Sequence, residues 1–172
     1  MIEDIQHLLR TIENGKREEV WEAAKELESL TTDTVLCLIS LLEKAKGAES
    51  RSAAAYVLGF GRYASARTAL EQVLDDAQEE SDVRGHAAEA LAYIQSPRSV
   101  GVLLKNVEDN DLGVKYWCIF ALGQIGDAEA LPALKRLAER VGSQSYEKHS
   151  LRAEVLDAIA EISQRVVPNG NR

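Results

Sequence analysis

Apolar residues along this chain recur at helical spacing, in segment after segment, separated by short polar breaks. The first stripe is Ile2, Ile5, Leu8, Leu9 and Ile12, closed by Asn14-Gly15 as a helix C-terminal cap. The next, Val35, Leu38, Leu41 and Leu42, is entered through Thr32-Asp33 as candidate N-caps. Ala69, Val73 and Leu74 follow, then Val100, Leu103, Leu104 and Val107, then Leu131, Leu134 and Leu137. Between these stripes lie five segments that align with one another. They are "EVWEAAKELESL" from Glu19, "SRSAAAYVLGFG" from Ser50, "VRGHAAEALAYI" from Val83, "VKYWCIFALGQI" from Val114 and "LRAEVLDAIAEI" from Leu151.

Aligned, the five share a column of Leu27, Leu58, Leu91, Leu122 and Ile159, with spacings of 31, 33, 31 and 37. Four residues earlier sit Ala23, Ala54, Ala87, Cys118 and Val155; seven earlier sit Val20, Arg51, Arg84, Lys115 and Arg152. Self-similarity at this period marks a solenoid of helical hairpins. A single hairpin of this length cannot bury its apolar stripes, so each must stack on its neighbours. The predicted fold class is all-α, a right-handed α-α superhelix of about ten helices in five antiparallel hairpins. The hairpins fall roughly at 2–30, 33–61, 65–94, 98–125 and 128–165, with a flexible tail over 166–172. Gly61, Gly126 and Ser96-Pro97 punctuate the turns, and Pro132 sits in the first turn of its helix, where its missing N–H costs little. The segment "RVGSQSYEKHS" (140–150) lengthens the last spacing and is expected to be an exposed loop.

"VRGHAAEALAYI" and "VKYWCIFALGQIGDAEALPALKRLAE" resemble HEAT-like repeats of the short bacterial type, the kind found in phycobilin lyase subunits. That pattern is a hydrophobic-basic pair, Ala-x-x-x-Leu-Gly, Ile-Gly-Asp, then a helix of the Ala-hydrophobic-Pro-x-Leu type. The copy from Val114 matches nearly every element, with Gly126-Asp127 as the turn, whereas the first copy has Glu19-Val20 in place of the hydrophobic-basic pair. The resemblance spans essentially the whole chain and implies fold rather than function, because the architecture serves many purposes.

Composition narrows the partners. The 172 residues fit one short repeat array; 45% are hydrophobic but only 5% aromatic, so the core must be Leu, Ala, Val and Ile. A net charge of −8 opposes nucleic acid and anionic membrane and suits a basic partner. Cys37 and Cys118 have no metal-ligand spacing and read as reduced, buried small residues. The N-terminus is amphipathic rather than signal-like, and no run approaches the ~18 apolar residues of a membrane span. A cytoplasmic monomer is the expectation.

Candidate chemistry is thin. His86 and Glu89 in "VRGHAAEAL" resemble the helix of deoxyhypusine hydroxylase, a HEAT-like enzyme whose symmetric repeats bind di-iron through adjacent His-Glu pairs. The corresponding positions hold Ser52-Ala53, Gly85-His86, Tyr116-Trp117 and Ala153-Glu154, so the paired ligands are missing. Gly59-x-Gly61 and Gly123-x-x-Gly126 fall at hairpin turns, and no nucleophile elbow or phosphate loop is present. No catalytic residue, metal or cofactor is assigned, and the chain is not expected to be an enzyme. The basic column could suggest a phosphate track. The acids near it favour a structural ladder between repeats instead, formed by Arg51, Asp82, Arg84, Asp111, Lys115 and Arg152.

The residues two and six places after the start of each aligned segment point away from the partner helix. They are Trp21 and Lys25, Ser52 and Tyr56, Gly85 and Glu89, Tyr116 and Phe120, and Ala153 and Asp157. Four of these ten are aromatic, which either marks a binding groove or reflects rings packed between repeats; Trp117, off these positions, reads as core. As a groove, Trp21, Tyr56, Tyr116 and Phe120 are the anchors, while Glu89 and Asp157 select a basic ligand. The function this favours is a non-catalytic interaction module holding a protein or peptide partner, as an adaptor or as an immunity-type inhibitor of a basic toxin. The alternative is a bilin-lyase-like subunit or chaperone handling a tetrapyrrole on a protein.

Overall fold

A computed structural model of the chain describes residues 2–27 and 30–166. Nearly all of the tail expected over 166–172 lies outside the described residues. Helices α1 (Ile2–Asn14), α3 (Thr32–Lys44), α5 (Arg67–Asp75), α7 (Val100–Asn106) and α9 (Leu131–Arg140) alternate with α2 (Arg17–Glu26), α4 (Ala48–Phe60), α6 (Ser81–Ile94), α8 (Leu112–Ile125) and α10 (Leu151–Val166). Each odd helix lies against the even helix after it, and successive even helices pack along one another. The result is a two-layered α-solenoid. One short hairpin, β1 (Ser145–Tyr146) with β2 (His149–Ser150), is the β-structure among the described residues.

The aligned columns form the interior. Leu58, Leu91 and Leu122 are wholly buried, as are Ala54, Ala87, Cys118 and Val155. From the odd helices, Ile12, Leu38, Leu70, Leu74, Leu103 and Leu134 meet them. Cys37 departs from expectation: it is exposed, because the buried stripe of α3 runs through Thr34, Val35, Leu38 and Leu42 and leaves position 37 outside it. The cap of α3 is Thr31, one residue before the expected pair, whose side chain accepts from the Thr34 N–H.

Tight packing of the even layer follows from small residues at its seams. A Cβ on Gly59 would lie 2.4 Å from Ala90 Cα, and one on Gly123 would lie 3.0 Å from Ala158 Cα. These glycines complete the Leu-Gly pairs of two aligned segments, so the motif has a packing origin. It lets one helix backbone rest on the next repeat's alanine. At the other end of α8, Gly126 takes the left-handed conformation (φ 76°) that closes the helix, and Arg165 donates to the Gln124 carbonyl at 2.7 Å.

The basic column joins repeats. Arg51 grips Glu79 through Nε and Nη2 at 2.8 and 2.7 Å, and its Nη1 donates to the Ala45 carbonyl at the end of α3 at 2.7 Å. Arg84 repeats the arrangement, donating to Leu74 O at 3.1 Å, Asn106 Oδ1 at 3.0 Å and the Asp109 carboxylate. Lys115 reaches Gln144 at 3.5 Å, and Arg152 donates to Ala138 O at 3.1 Å. Arg51 and Arg84 thus each satisfy the end of their own repeat's odd helix and an acceptor of the next repeat, whereas Lys115 reaches only the next repeat and Arg152 only its own.

The acids differ from those read off the sequence. Asp111 instead caps α8, accepting from the N–H groups of Gly113 and Val114 at 2.8 and 3.1 Å, while Asp82 sits exposed in the first turn of α6. Acids at a helix start are held by its unpaired N–H groups. The acids that meet the preceding arginine lie two or three residues earlier, at Glu79 and Asp109.

Candidate functional site

The even helices turn one side toward the odd helices and leave the other free; we call the free side the even-helix face. Aromatic residues gather there in two runs. In the first, Trp21 meets Tyr56 edge-on (5.8 Å between ring centres, 76°) and His86 (5.2 Å), Tyr56 stacks on Phe60 (5.8 Å, 13°), and Phe60 meets Tyr93 (6.2 Å). The Trp21 indole N–H donates to Glu49 at 2.9 Å, which fixes the ring. In the second run, Trp117 lies between Tyr116 (5.2 Å, 79°) and Phe120 (5.6 Å, 86°), both perpendicular to it. Tyr116 in turn touches Tyr146 and His149 of the β-hairpin.

Between the runs, the N-terminal halves of α6 and α8 border a cavity of about 660 Å³. Asp82, Glu89, Asp111 and Glu147 line it, with Arg17 as a cation and with His86, Trp117 and Tyr146 as ring walls. Gly85 makes its floor: a Cβ there would find only Trp117 Cδ1, at 3.7 Å. A second, more apolar cavity of about 430 Å³ lies farther along the face among Leu27, Tyr56, Val57, Phe60 and Tyr63.

Glu89 is the most buried of the cavity carboxylates that have no partner among the described residues. It is half-buried, and among the described residues it has neither a hydrogen bond nor an ion pair. Burial raises its pKa, and the neighbouring His86 only partly offsets this. A carboxyl whose folded pKa is raised favours folding when protonated; that contribution is lost as pH rises from the ordinary glutamate range through the raised value. Glu89→Gln is therefore expected to raise the urea midpoint at pH 8, with the advantage shrinking to nothing as pH falls to the ordinary glutamate range. Paired denaturation curves at the two ends of that range check this.

The six residues read as a groove have different fates. Trp21, Tyr56, Glu89 and Phe120 are half-buried on the even-helix face, and Asp157 is exposed. Tyr116 is 8% exposed and packed under the hairpin, so it supports Trp117 rather than meeting a ligand. Burial and the carboxylate of Glu154 push its phenol up to about 12. Trp117, read as core, is instead half-buried and lines the cavity. The segment expected as an exposed loop is anchored by Tyr146, whose ring packs where a Cβ on Gly113 would fall 2.9 Å away.

Sequence reasoning missed Phe60 and Tyr93, although both stand ten places after the start of their segments. With places three and six they complete one helical stripe. Tyr146 and Glu147 carried no such signal, because the insertion has no sibling in the array.

Residues 77–153 match the family of HEAT repeats. Over 120 residues the chain is 32% identical to deoxyhypusine hydroxylase-B of Oryza sativa subsp. japonica, which covers 68% of this chain and 40% of that protein. The chain thus spans well under half of this relative's length. The complex of CpcE and CpcF of phycocyanin lyase from Nostoc sp. PCC7120 superposes with a TM-score of 0.65 at 25% identity, over 81% of this chain and 56% of that one. A designed armadillo repeat protein in complex with the peptide (KR)4 shares the fold, with a TM-score of 0.59 at 18% identity over 90% of this chain and 80% of that one.

Two of these relatives are enzymes. At the places that would carry the hydroxylase's His-Glu pairs stand Ser52-Ala53, Gly85-His86, Tyr116-Trp117 and Ala153-Glu154. One imidazole and one carboxylate, in different repeats and never paired, do not suit a di-iron site. Among the described residues, no group of three or more His, Cys, Asp or Glu is placed to hold a metal ion. No described helix is long and apolar enough to cross a membrane.

Proposed function

We propose that this chain, a HEAT-like repeat protein, is a non-catalytic interaction module that holds a basic protein or peptide segment along its even-helix face. The observation that carries this reading is the cavity between α6 and α8, where four carboxylates and three ring walls surround open volume. Native folds seldom leave aromatic surface and unpaired acid together without a partner to cover them. The net charge of −8 favours encounter with a cation-rich segment. An adaptor, or an inhibitor that covers a basic toxin, would use such a face. Trp21, Tyr56, Glu89 and Phe120 are the contacts, Asp157 flanks them, and Arg51 and Arg84 tie one repeat to the next.

The 18.9 kDa chain suits amide-resolved NMR. Octapeptides that are Lys/Arg-rich, Glu-rich or Leu-rich, titrated into labelled protein, provide the test. Shifts confined to the even helices and the β-hairpin, and strongest for the basic peptide, are expected. Shifts on α5 and α7, or none with any peptide, would refute the reading.

A second reading rests on the match to the phycocyanin lyase complex: a lyase-like subunit that handles a tetrapyrrole carried by a protein, with the aromatic runs against the pigment. A change in the visible absorbance of a bilin on mixing would favour it over the first.

A further inference from the structure

We infer that the cavity between α6 and α8 is a subsite for one arginine side chain of the partner, its guanidinium lying on the Trp117 indole and facing Glu89 and Asp82. The inference rests on the interaction-module reading and gives it a recognition chemistry.

Open space is the first argument. At the place held by Trp21, Ser52, Tyr116 and Ala153 in the other repeats, this repeat has Gly85. A side chain there would fill the floor of the cavity beside Trp117. The ring it exposes is packed against Tyr116 and Phe120, both nearly perpendicular to it. A ring packed in this way can receive a flat group with little loss of rotamer freedom of its own.

The insertion is the second argument. The spacing of 37 is the one long interval among 31, 33 and 31, and its extra residues form the hairpin that contributes Tyr146 and Glu147 to the rim. Insertions in repeat arrays tend to build the binding face. Anchoring of Tyr146 against Gly113 and Tyr116 sets that rim in place.

Charge selects the occupant. Among the described residues, four carboxylates line the cavity, one of them (Asp111) held by the start of α8, against one cation, Arg17, which already reaches Glu49 at 3.3 Å. Among the described residues Glu89 has no partner, and His86 bonds the backbone carbonyl of Asp82 at 2.7 Å rather than the Asp82 carboxylate. A bare metal ion needs converging ligands, which are lacking among the described residues. An ammonium is compact and strongly hydrated, whereas a guanidinium is planar, weakly hydrated, stacks on indole and donates to carboxylates along its edge. Ring wall and carboxylate together fit the guanidinium better.

Fluorescein-labelled (Gly-Arg)4, (Gly-Lys)4 and (Gly-citrulline)4, followed by anisotropy at low and moderate salt, test this. Citrulline keeps the shape of arginine without its charge. The arginine peptide is expected to bind at least tenfold more tightly than the citrulline peptide, and more tightly than the lysine peptide. Its binding is expected to weaken with salt. Glu89→Gln and Trp117→Ala should each weaken it about tenfold, and Trp117→Phe less. Far-UV circular dichroism and the urea midpoint report folding, and Glu89→Gln serves where Trp117→Ala is unstable.

Equal binding of arginine and citrulline peptides overturns the inference. So does arginine binding unmoved by Glu89→Gln and Trp117→Phe, which would leave the face a partner surface with its cation site elsewhere. If only the Leu-rich or Glu-rich octapeptide shifts the even-helix face, the arginine subsite and the basic character of the partner both fail, while the face stands as an interaction surface. If no peptide engages that face, both fail.

Discussion

Arg84→Met is expected to lower stability by about 3–5 kcal/mol, seen as a large fall in the urea midpoint with the fold otherwise retained. Arg84 is 9% exposed, and its guanidinium satisfies three acceptors: the Leu74 carbonyl, the Asn106 side chain and the Asp109 carboxylate. Methionine replaces the stem but none of the donors. The Asp109 carboxylate, itself largely buried, then loses its counter-charge, and the end of α5 loses its cap. The cost of this stranded charge exceeds the net worth of the pair. Lys115→Met provides the contrast. Its ammonium reaches Gln144 only at 3.5 Å in an exposed position, so a change within about 0.5 kcal/mol is expected. Equal effects of the two substitutions would show that the ladder column acts through general charge rather than through buried pairing.

The second large effect is expected at Gly59. Helix propensity alone would favour replacing this glycine in the last turn of α4, by up to about 1 kcal/mol for alanine. The seam decides otherwise. A Cβ would stand 2.4 Å from Ala90 Cα and 2.5 Å from Ala90 Cβ, both fixed by the backbone of α6. No rotamer change relieves such a contact; α4 and α6 must separate along their length. Gly59→Val is expected to cost about 3 kcal/mol, at the upper end of overpacking penalties. Gly101→Ala, in the exposed turn of α7 where an added Cβ meets nothing within 4 Å, should instead stabilise by about 0.5–1 kcal/mol. Thermal or urea denaturation of the two variants against wild type reads opposite signs if the packing account holds.

Much of the fold was legible before any coordinates. The Leu and small-residue columns lie in the interior because a helix repeats its faces every 3.6 residues, and one hairpin can bury its stripe only on the next. The basic column was legible for the same reason, as four of the five residues at one helical register are basic. Its acids were not. Glu79 and Asp109 lie in turns, where spacing does not encode direction, while the more regular Asp82 and Asp111 belong to helix starts.

The site divides along the same line. Trp21, Tyr56, Glu89 and Phe120 could be placed on the free face from register alone, since period and face are local properties of a helix. Whether a ring on that face is covered or open depends on what lies across from it, and sequence spacing does not carry that. Tyr116 is buried because the hairpin folds back over it; its neighbour Trp117 is open because Gly85, in the preceding repeat, withholds a side chain. The amino-acid sequence by itself determined the helices, their pairing into a HEAT-like array and the face left free. Only the tertiary structure decided where that face is hollow, because the cavity is made by one missing side chain, one inserted hairpin and the packing that brings them together.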